Sequence, residues 1–529
     1  MKQIKLSNII ITVLFALITY YFTLPPLNIQ SFEFWSYLVM VIGVFLVLQF
    51  ISSTGNMIIS RRIQKYPKWI YYCAFTFIGI FIIIGLINIA ISPVFNAKSY
   101  SKRITIDETT DFVKDVKPVN FNRIPLLDKT SSQKLGDRVM GQMPELVSQF
   151  VVSNLYTQIN YSNEIIRVTP LEYNGIFKYF ANMKTGVKGY IMVNSVTGES
   201  KLQKLEKGMK YMPSSYFFTN LKRHLRLTYP TTIFGKESFE IDNEGKPYWI
   251  IPTIKYSGVG MKKEITGVVI LDPTTGKSKK YKTKDVPTWV DHVYTSDLIL
   301  EQVYDWGQYK NGFFNSIFGQ KNVVAPTEGY NYTVMNDDVY LYTGITSAAS
   351  DQAILGFILT NMRTKETNFY SVPGAEEYSA MASAEGQIQQ MKYQATFPLL
   401  INLNSKPTYL ISLKDNAGLV KMYAFVDVVD YQKVVVTDAS DGIHQAAENY
   451  LGEKLNQNED LTTKEITVKS IKEVNIKGTT YYYLTDTQNK KYRVSVLVEE
   501  KKLPFLTTNQ KLEISFSKEE EVTEILKVK

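Results

Sequence analysis

WIYYCAFTFIGIFIIIGLINIAI, residues Trp69–Ile91, runs for 23 residues without a charged side chain. As an α-helix it is long enough to cross a hydrocarbon core of about 30 Å. Toward the N-terminus, Phe34–Ile51 and Ser7–Leu24 are also free of charge, at 18 residues each. Lipid offers no partner to a bare backbone, so all three segments should be helices. Toward the C-terminus, 436 residues of mixed polarity follow Pro93. The expected fold class is a membrane protein with three N-terminal transmembrane helices (1–93) and a large α+β remainder.

Loop charges set the expected orientation. Lys2 and Lys5 precede the first run, and Pro25–Glu33 between runs one and two has no Lys or Arg. The link between runs two and three carries Arg61, Arg62, Lys65 and Lys68. Cytoplasmic loops collect Lys and Arg, so the N-terminus and this basic loop belong inside and residues 94–529 outside. Lys98, Lys102 and Arg103, just past the last span, pull the other way, but the contrast of four against none between the two loops outweighs them. Tyr20, Tyr21, Phe22, Pro25 and Pro26 stand where a signal peptide would carry small residues, so the first run reads as an uncleaved anchor.

The net charge of +9 divides unevenly. Residues 1–97 hold six Lys/Arg against one acid, Glu33; the other 432 residues hold 53 against 49. The outer part thus offers no electrostatic case for nucleic acid. Cys73, the single cysteine, lies inside the third run, which excludes intramolecular disulfides and multi-thiolate metal sites. Cysteine avoidance suits a bacterial surface protein.

Residues 94–145 show little periodicity and read as a juxtamembrane segment. From Leu146 on, helical and strand-rich stretches alternate. Gly189-Tyr-Ile-Met-Val-Asn-Ser-Val-Thr-Gly-Glu199 is an apolar run closed by a turn, and Gly267-Val-Val-Ile-Leu-Asp-Pro-Thr-Thr-Gly-Lys277 repeats its spacing. Gly356–Glu366 is a looser third copy. β-Branched residues suit a half-buried sheet, and Asp272-Pro-Thr-Thr-Gly276 supplies turn chemistry. A longer duplication joins a helix at Ser215–Leu227 to Lys246-Pro-Tyr-Trp-Ile-Ile-Pro252, and a helix at Glu376–Met391 to Lys406-Pro-Thr-Tyr-Leu-Ile-Ser412. Each unit adds one more strand, so helix–strand–strand–strand recurs. This implies tandem small α+β modules with antiparallel sheets, one region over 146–328 and another over 329–439.

In that order, and in the strand ending Asp272-Pro-Thr-Thr-Gly-Lys277, residues 146–435 resemble PepSY-type domains. The resemblance implies small helix-plus-sheet modules of the bacterial envelope, found in peptidase propeptides and in membrane proteins. It carries over no functional residue. The whole chain also resembles large membrane proteins of Gram-positive bacteria, a likeness that implies no reaction.

The C-terminal piece differs. Ser440–Leu455 reads as an amphipathic helix with Ala446, Ala447, Tyr450 and Leu451 on its apolar side, and Asn456–Thr463 as a polar linker. These fill residues 440–463. Five short strands follow within 464–529, with a turn at Lys477-Gly478. They suggest a small β-barrel, OB-like or SH3-like.

Motifs for chemistry are sparse. Thr275-Gly-Lys-Ser278 ends like a phosphate loop, but Leu271 occupies the position of the first glycine. His224, His292 and His444 form no metal-binding pattern; His224 reads as solvated or locally bonded. Ser131 and Lys134 share the spacing of a Ser–Lys dyad, as do Ser515 and Lys518, a spacing common by chance. Asp337-Asp338 reads as a solvated turn, since strand neighbours face opposite ways; Glu376-Glu377 is another adjacent pair. Tyr481–Tyr483 beside Lys490–Arg493 could stack single strands, but 13 basic and 10 acidic residues in 464–529 make a weak field. No catalytic, cofactor or metal residue is therefore expected. The expected function is a non-enzymatic envelope protein whose outer modules bind or position other envelope or membrane proteins. Alternatives are a surface enzyme or peptidase regulator, and nucleic-acid binding through the C-terminal barrel.

Overall fold

A computed structural model describes residues 6–60, 68–347, 350–452, 462–476, 479–499, 502–516, 521–525 and 527–528. They form two compact units, one up to Tyr450 and one from Leu451.

The first unit opens with the helices Leu6–Thr23, Phe32–Ser60 and Lys68–Ile91, each long and apolar enough to cross a membrane. Lys2, Lys5, Arg61, Arg62 and Lys65, on which the expected orientation rests, lie outside the described residues. Polar ties hold the first two helices together. Asn8 donates to the Leu48 carbonyl at 3.2 Å and to Ser52 Oγ at 3.0 Å, and the Tyr37 hydroxyl donates to Ala16 O at 2.8 Å.

Four antiparallel sheets follow, and all four have the same order. A helix comes first: Lys129–Gly141, Leu221–Thr228, Ser296–Tyr309 or Glu377–Gln387. Next comes a strand in two pieces, both paired with the same long strand. In the first sheet Phe150–Val152 and Thr157–Tyr161 pair with Glu164–Tyr173, which is followed by Val187–Asn194 and Ser200–Met209. The second sheet repeats this with Ile233–Phe234 and Ser238–Ile241 on Pro247–Tyr256, then Lys263–Leu271 and Ser278–Lys282. The third runs the same pattern from Val324 to Tyr370, with the short strand Gly374–Ala375 added beside Ser350–Asn361, and the fourth runs from Gln394 to Asp438.

The last hairpin of each sheet turns on one side-chain cap. Asn194 Oδ1 accepts from the amides of Val196 and Thr197, and Asp272 Oδ1 from Thr274 and Thr275. Asn361 does the same for Arg363 and Thr364, and Asp427 for Val429 and Asp430. A short Asn or Asp side chain that bonds the backbone two residues on is a ready-made turn. The looser third copy at Gly356–Glu366 is thus the same hairpin, with Lys365 at φ +70° where the first two have Gly198 and Gly276.

The expectation of half-buried sheets is corrected for the second and third. Trp249, Ile251, Val269 and Leu271 face the core shared with the first sheet. Their neighbours Ile250, Val268 and Ile270 face a second core with Val339, Leu341 and Ile358 of the third sheet. On that sheet Tyr342, Phe357 and Leu359 face a third core, shared with the fourth. Strands covered on both faces have no reason to alternate, which is why Trp249–Ile251 and Val268–Leu271 are continuous apolar runs.

The helix expected from Ser215 begins only at Leu221. Phe217 sits at φ +51°, outside helical space, and Asn220 caps the helix by accepting from the Arg223 amide at 3.1 Å. The strands of the third sheet begin with Val324–Pro326 and Asn331–Met335.

The juxtamembrane segment is a strap. Ile106–Asp107 pairs in parallel with the edge of the third sheet, Val119 N donates to Asn402 O of the fourth, and Leu127 N donates to Ser195 O beside the first. Arg103 anchors its start. The side chain is buried among Glu264, Glu301 and Asp305 and also donates to the Lys263 carbonyl. Burial works against the Arg103 charge, but Glu301 and Asp305 outweigh it and raise its pKa.

In the unit from Leu451, residues 453–461, with most of the expected linker, and the Lys477-Gly478 turn lie outside the described residues. Thr462 already begins a long strand, Thr462–Ile476. This strand pairs with Lys511–Phe516 through its first half and with Thr479–Asp486 through its second. Lys491–Ser495 pairs with Thr479–Asp486 on one side and, in parallel, with Val522–Glu524 on the other. Lys527–Val528 pairs with Lys511–Phe516. Ile466, Val468, Tyr482, Leu484, Tyr492 and Ile514 fill the core. The helix expected at Ser440–Leu455 is described as Ile443–Leu451, with Ala446, Ala447 and Tyr450 buried.

Candidate functional site

The strand Glu164–Tyr173 carries Arg167 in the middle of an otherwise apolar stretch, Ile165-Ile166-Arg167-Val168. The residue is buried, at 6 % exposure. Directly across the ladder stands Gln158, 1 % exposed. Directly opposed residues project to the same face of a sheet. Among the described residues, Arg167 Nε, Gln158 Oε1 and Gln158 Nε2 are buried with no hydrogen-bond partner. No carboxylate lies within ion-pair distance of Arg167 among the described residues. Burial pulls its guanidinium down to about 10, so it keeps its charge at neutral pH.

Both side chains line a cavity of about 400 Å³. Every repeat contributes to its wall. Lys129 comes from the first helix, Lys236 and Ser238 from the second sheet, Tyr330 and Tyr332 from the third, and Phe397 from the fourth. Lys129 and Lys236 are exposed, which puts them toward the solvent side. The Lys129 pKa is lowered by partial burial and then by the charges of Lys236 and Arg167. Of the two acids in the lining, Asp128 is engaged: Oδ2 binds Lys414 at 2.6 Å and Oδ1 accepts from the Ser131 amide at 2.9 Å. Glu237 is the other, and it is half-buried. A buried, charged guanidinium whose Nε has no partner among the described residues, beside an amide in the same state and with two lysines in the same wall, is suited to holding an oxyanion.

Behind the cavity lies a buried acid pair. Glu240 accepts from the Asp291 amide at 2.8 Å and from Ser238 Oγ at 2.9 Å, and Asp291 Oδ2 accepts from the Asn160 amide at 2.8 Å. Burial raises the Glu240 pKa. Burial, and then the Glu240 charge, raise Asp291 well above the carboxylate range. The pair keeps a proton to higher pH than exposed carboxylates do. His292 fixes this wall by a 2.7 Å hydrogen bond between Nε2 and the Gln158 carbonyl.

The residues singled out in the sequence are scattered. His224 Nε2 bonds the Gly276 carbonyl at 2.8 Å, a tertiary contact to the turn of the second sheet's last hairpin, and His444 packs against Phe121. Ser131 Oγ donates to Gly418 O at 3.1 Å and is buried. Thr275–Lys277 lies in the capped turn between two strands, and Ser278 opens the second of them. Asp337 is exposed, but the solvated reading fails for Asp338, which is buried in a two-pronged pair with Arg363 at 2.8 and 2.7 Å. Glu377 is fully buried, though nothing in its sequence context says so. Tyr482 is a core residue, and the Arg493 guanidinium lies 5.1 Å from the centre of the Tyr481 ring. Lys518 lies outside the described residues. Arg167 and Gln158 escaped the motif search because no motif contains them. The usable signal was a charge inside an apolar strand, where core positions exclude unpaired charge.

No family model matches the chain. No curated protein matches it in sequence.

Proposed function

We propose that this chain is a non-enzymatic, membrane-anchored protein of a bacterial cell envelope. Its N-terminus lies inside, and residues 94–529 lie outside and bind or position other envelope components, membrane proteins among them. Binding centres on Arg167, which takes an anionic group of the ligand, while Tyr330, Tyr332 and Phe397 pack against the rest. The observation that carries this is the neighbouring pair Arg167 and Gln158, buried at a cavity and unpaired among the described residues. An unpaired buried charge costs on the order of several kcal/mol, a cost that packing alone gives no reason to keep.

Two finer readings accompany it. The recurrence of helix, split strand and capped hairpin in all four sheets supports PepSY-like modules. Strand pairing in the last unit supports an OB-like barrel over an SH3-like one. Val522–Glu524 and Lys527–Val528, three residues apart, pair with strands at opposite ends of the sheet, one of them in parallel.

Thermal unfolding of the full chain in lipid nanodiscs tests the anion site, with inorganic phosphate and citrate titrated at constant ionic strength. The wild type should gain several degrees with at least one of them. Arg167→Met should melt no lower than the wild type without anion and should not respond to it. A melting point that falls with Arg167→Met, in a wild type indifferent to both anions, would make Arg167 a structural cation and end this reading.

A further inference from the structure

Where the first apolar helix ends, the α+β part reaches back along it. Leu27 N donates to Pro230 O at 2.8 Å, Arg226 Nε donates to Leu24 O at 3.0 Å, and Gly260 N donates to Gln30 O at 2.9 Å. The contact goes deeper than the link. The Phe218 ring lies edge-on to Tyr21, 6.5 Å between centres, and Tyr21 belongs to the last turn of the helix Leu6–Thr23. Phe218 therefore stands at the level of the last turn of the span, and it and Phe22 are both largely exposed.

Phe218 is part of a larger surface. Phe217 packs on Phe180 at 5.9 Å, and Phe180 shares the short helix Ile176–Asn182 with Phe177, one turn earlier. Phe177 is 83 % exposed and Phe218 67 %. A soluble surface has no use for such rings in a cluster. The backbone works to present them. Phe217 is held at φ +51°, a conformation a bulky residue adopts only under constraint. Arg223 supplies that constraint: its Nη1 donates to Phe217 O at 2.6 Å. The same guanidinium lies 4.0 Å from the centre of the Tyr21 ring and donates to Tyr21 O at 3.4 Å. One cation thus locks the aromatic loop to the end of the apolar helix, where a headgroup layer would meet it.

We propose that Phe177, Phe180, Phe217 and Phe218 form a wedge that inserts into the bilayer beside the first span. This rests on the reading of Leu6–Thr23 as a membrane span. The occupant is lipid rather than a protein, because the surface is continuous with a helix whose own outer face is apolar. Aromatic rings at that level match the composition of membrane interfaces. The wedge fixes the height and tilt of the second sheet, and through it the distance of the anion cavity from the membrane.

Site-directed spin labelling of the full chain in nanodiscs tests this. Single cysteines replace Phe177, Phe218, Leu14 and Lys406 in a Cys73→Ala background; Leu14 is an exposed residue of the first helix. Each nitroxide is probed for collision with oxygen, which concentrates in lipid, and with a water-soluble nickel chelate. Labels at Phe177 and Phe218 should give an oxygen-to-nickel ratio several-fold above that at Lys406 and close to that at Leu14. A ratio at the Lys406 level, with Leu14 reading lipid, would show a wedge facing water and overturn the proposal while leaving the span intact. Exclusion of both reagents would mean a protein covers the surface, which also overturns it. An aqueous reading at Leu14 would remove the span and the wedge together.

Discussion

Glu377 opens a helix with its side chain fully buried, and its Oε1 accepts from the Gly344 amide at 2.8 Å. Among the described residues its Oε2 has no partner. Burial raises the carboxyl from 4.5 to about 7, against the hydrogen bonds that lower it. A raised carboxyl pKa means the folded state holds the proton that the unfolded state has already lost. Its contribution is therefore best below about pH 4.5, declines as pH rises to about 7, and stays low above that, by on the order of 3 kcal/mol. Glu377→Gln removes this titration. Its melting temperature should match the wild type near pH 4.5 and exceed it at pH 8, with the gap opening between; parallel curves would refute the assignment. Arg167 is the same physics with the opposite sign of charge. Both residues look ordinary in the sequence, because an isolated Glu or Arg carries no mark of its depth.

Elements in this chain were legible wherever the signal was local. The capped hairpins could be read because Asn or Asp, Thr and Gly at fixed spacing act within a few residues. The fourth hairpin went unread because its turn is longer, with Asp427 N bonding Lys433 O, and because Met422 stands where the others have glycine. That glycine has a purpose. A Cβ on Gly267 would collide with the Tyr281 carbonyl, and one on Gly356 with the Tyr370 carbonyl, each on the neighbouring strand. Gly356→Ala and Gly267→Ala should each destabilise the protein by about 2 kcal/mol, measured by denaturant unfolding. Gly141→Ala, where an added Cβ meets nothing within 4 Å, should cost far less. Equal effects at all three positions would remove close approach as the reason for the glycines.

The proposed topology belongs to the whole molecule. Protease added to intact protoplasts should remove residues 94–529, while a C-terminal tag that survives alongside a digested outer marker would place the α+β part inside. The strap from Arg103 to Leu127 is also a property at this scale. It touches the third, fourth and first sheets in turn, and its sequence showed only irregularity because its partners lie up to some 290 residues away. The sequence by itself determined the three apolar helices, the alternation of helix and strand, and most of the turns. These depend on periodicity, length and capping, which act within one segment. Only the tertiary structure decided that two sheets are buried on both faces, that four repeats wall one cavity, and that Arg167 and Gln158 meet there with no partner among the described residues. Those are long-range facts. They arise when segments far apart in the chain exclude water from the same place, and no window of sequence contains both sides of such a contact.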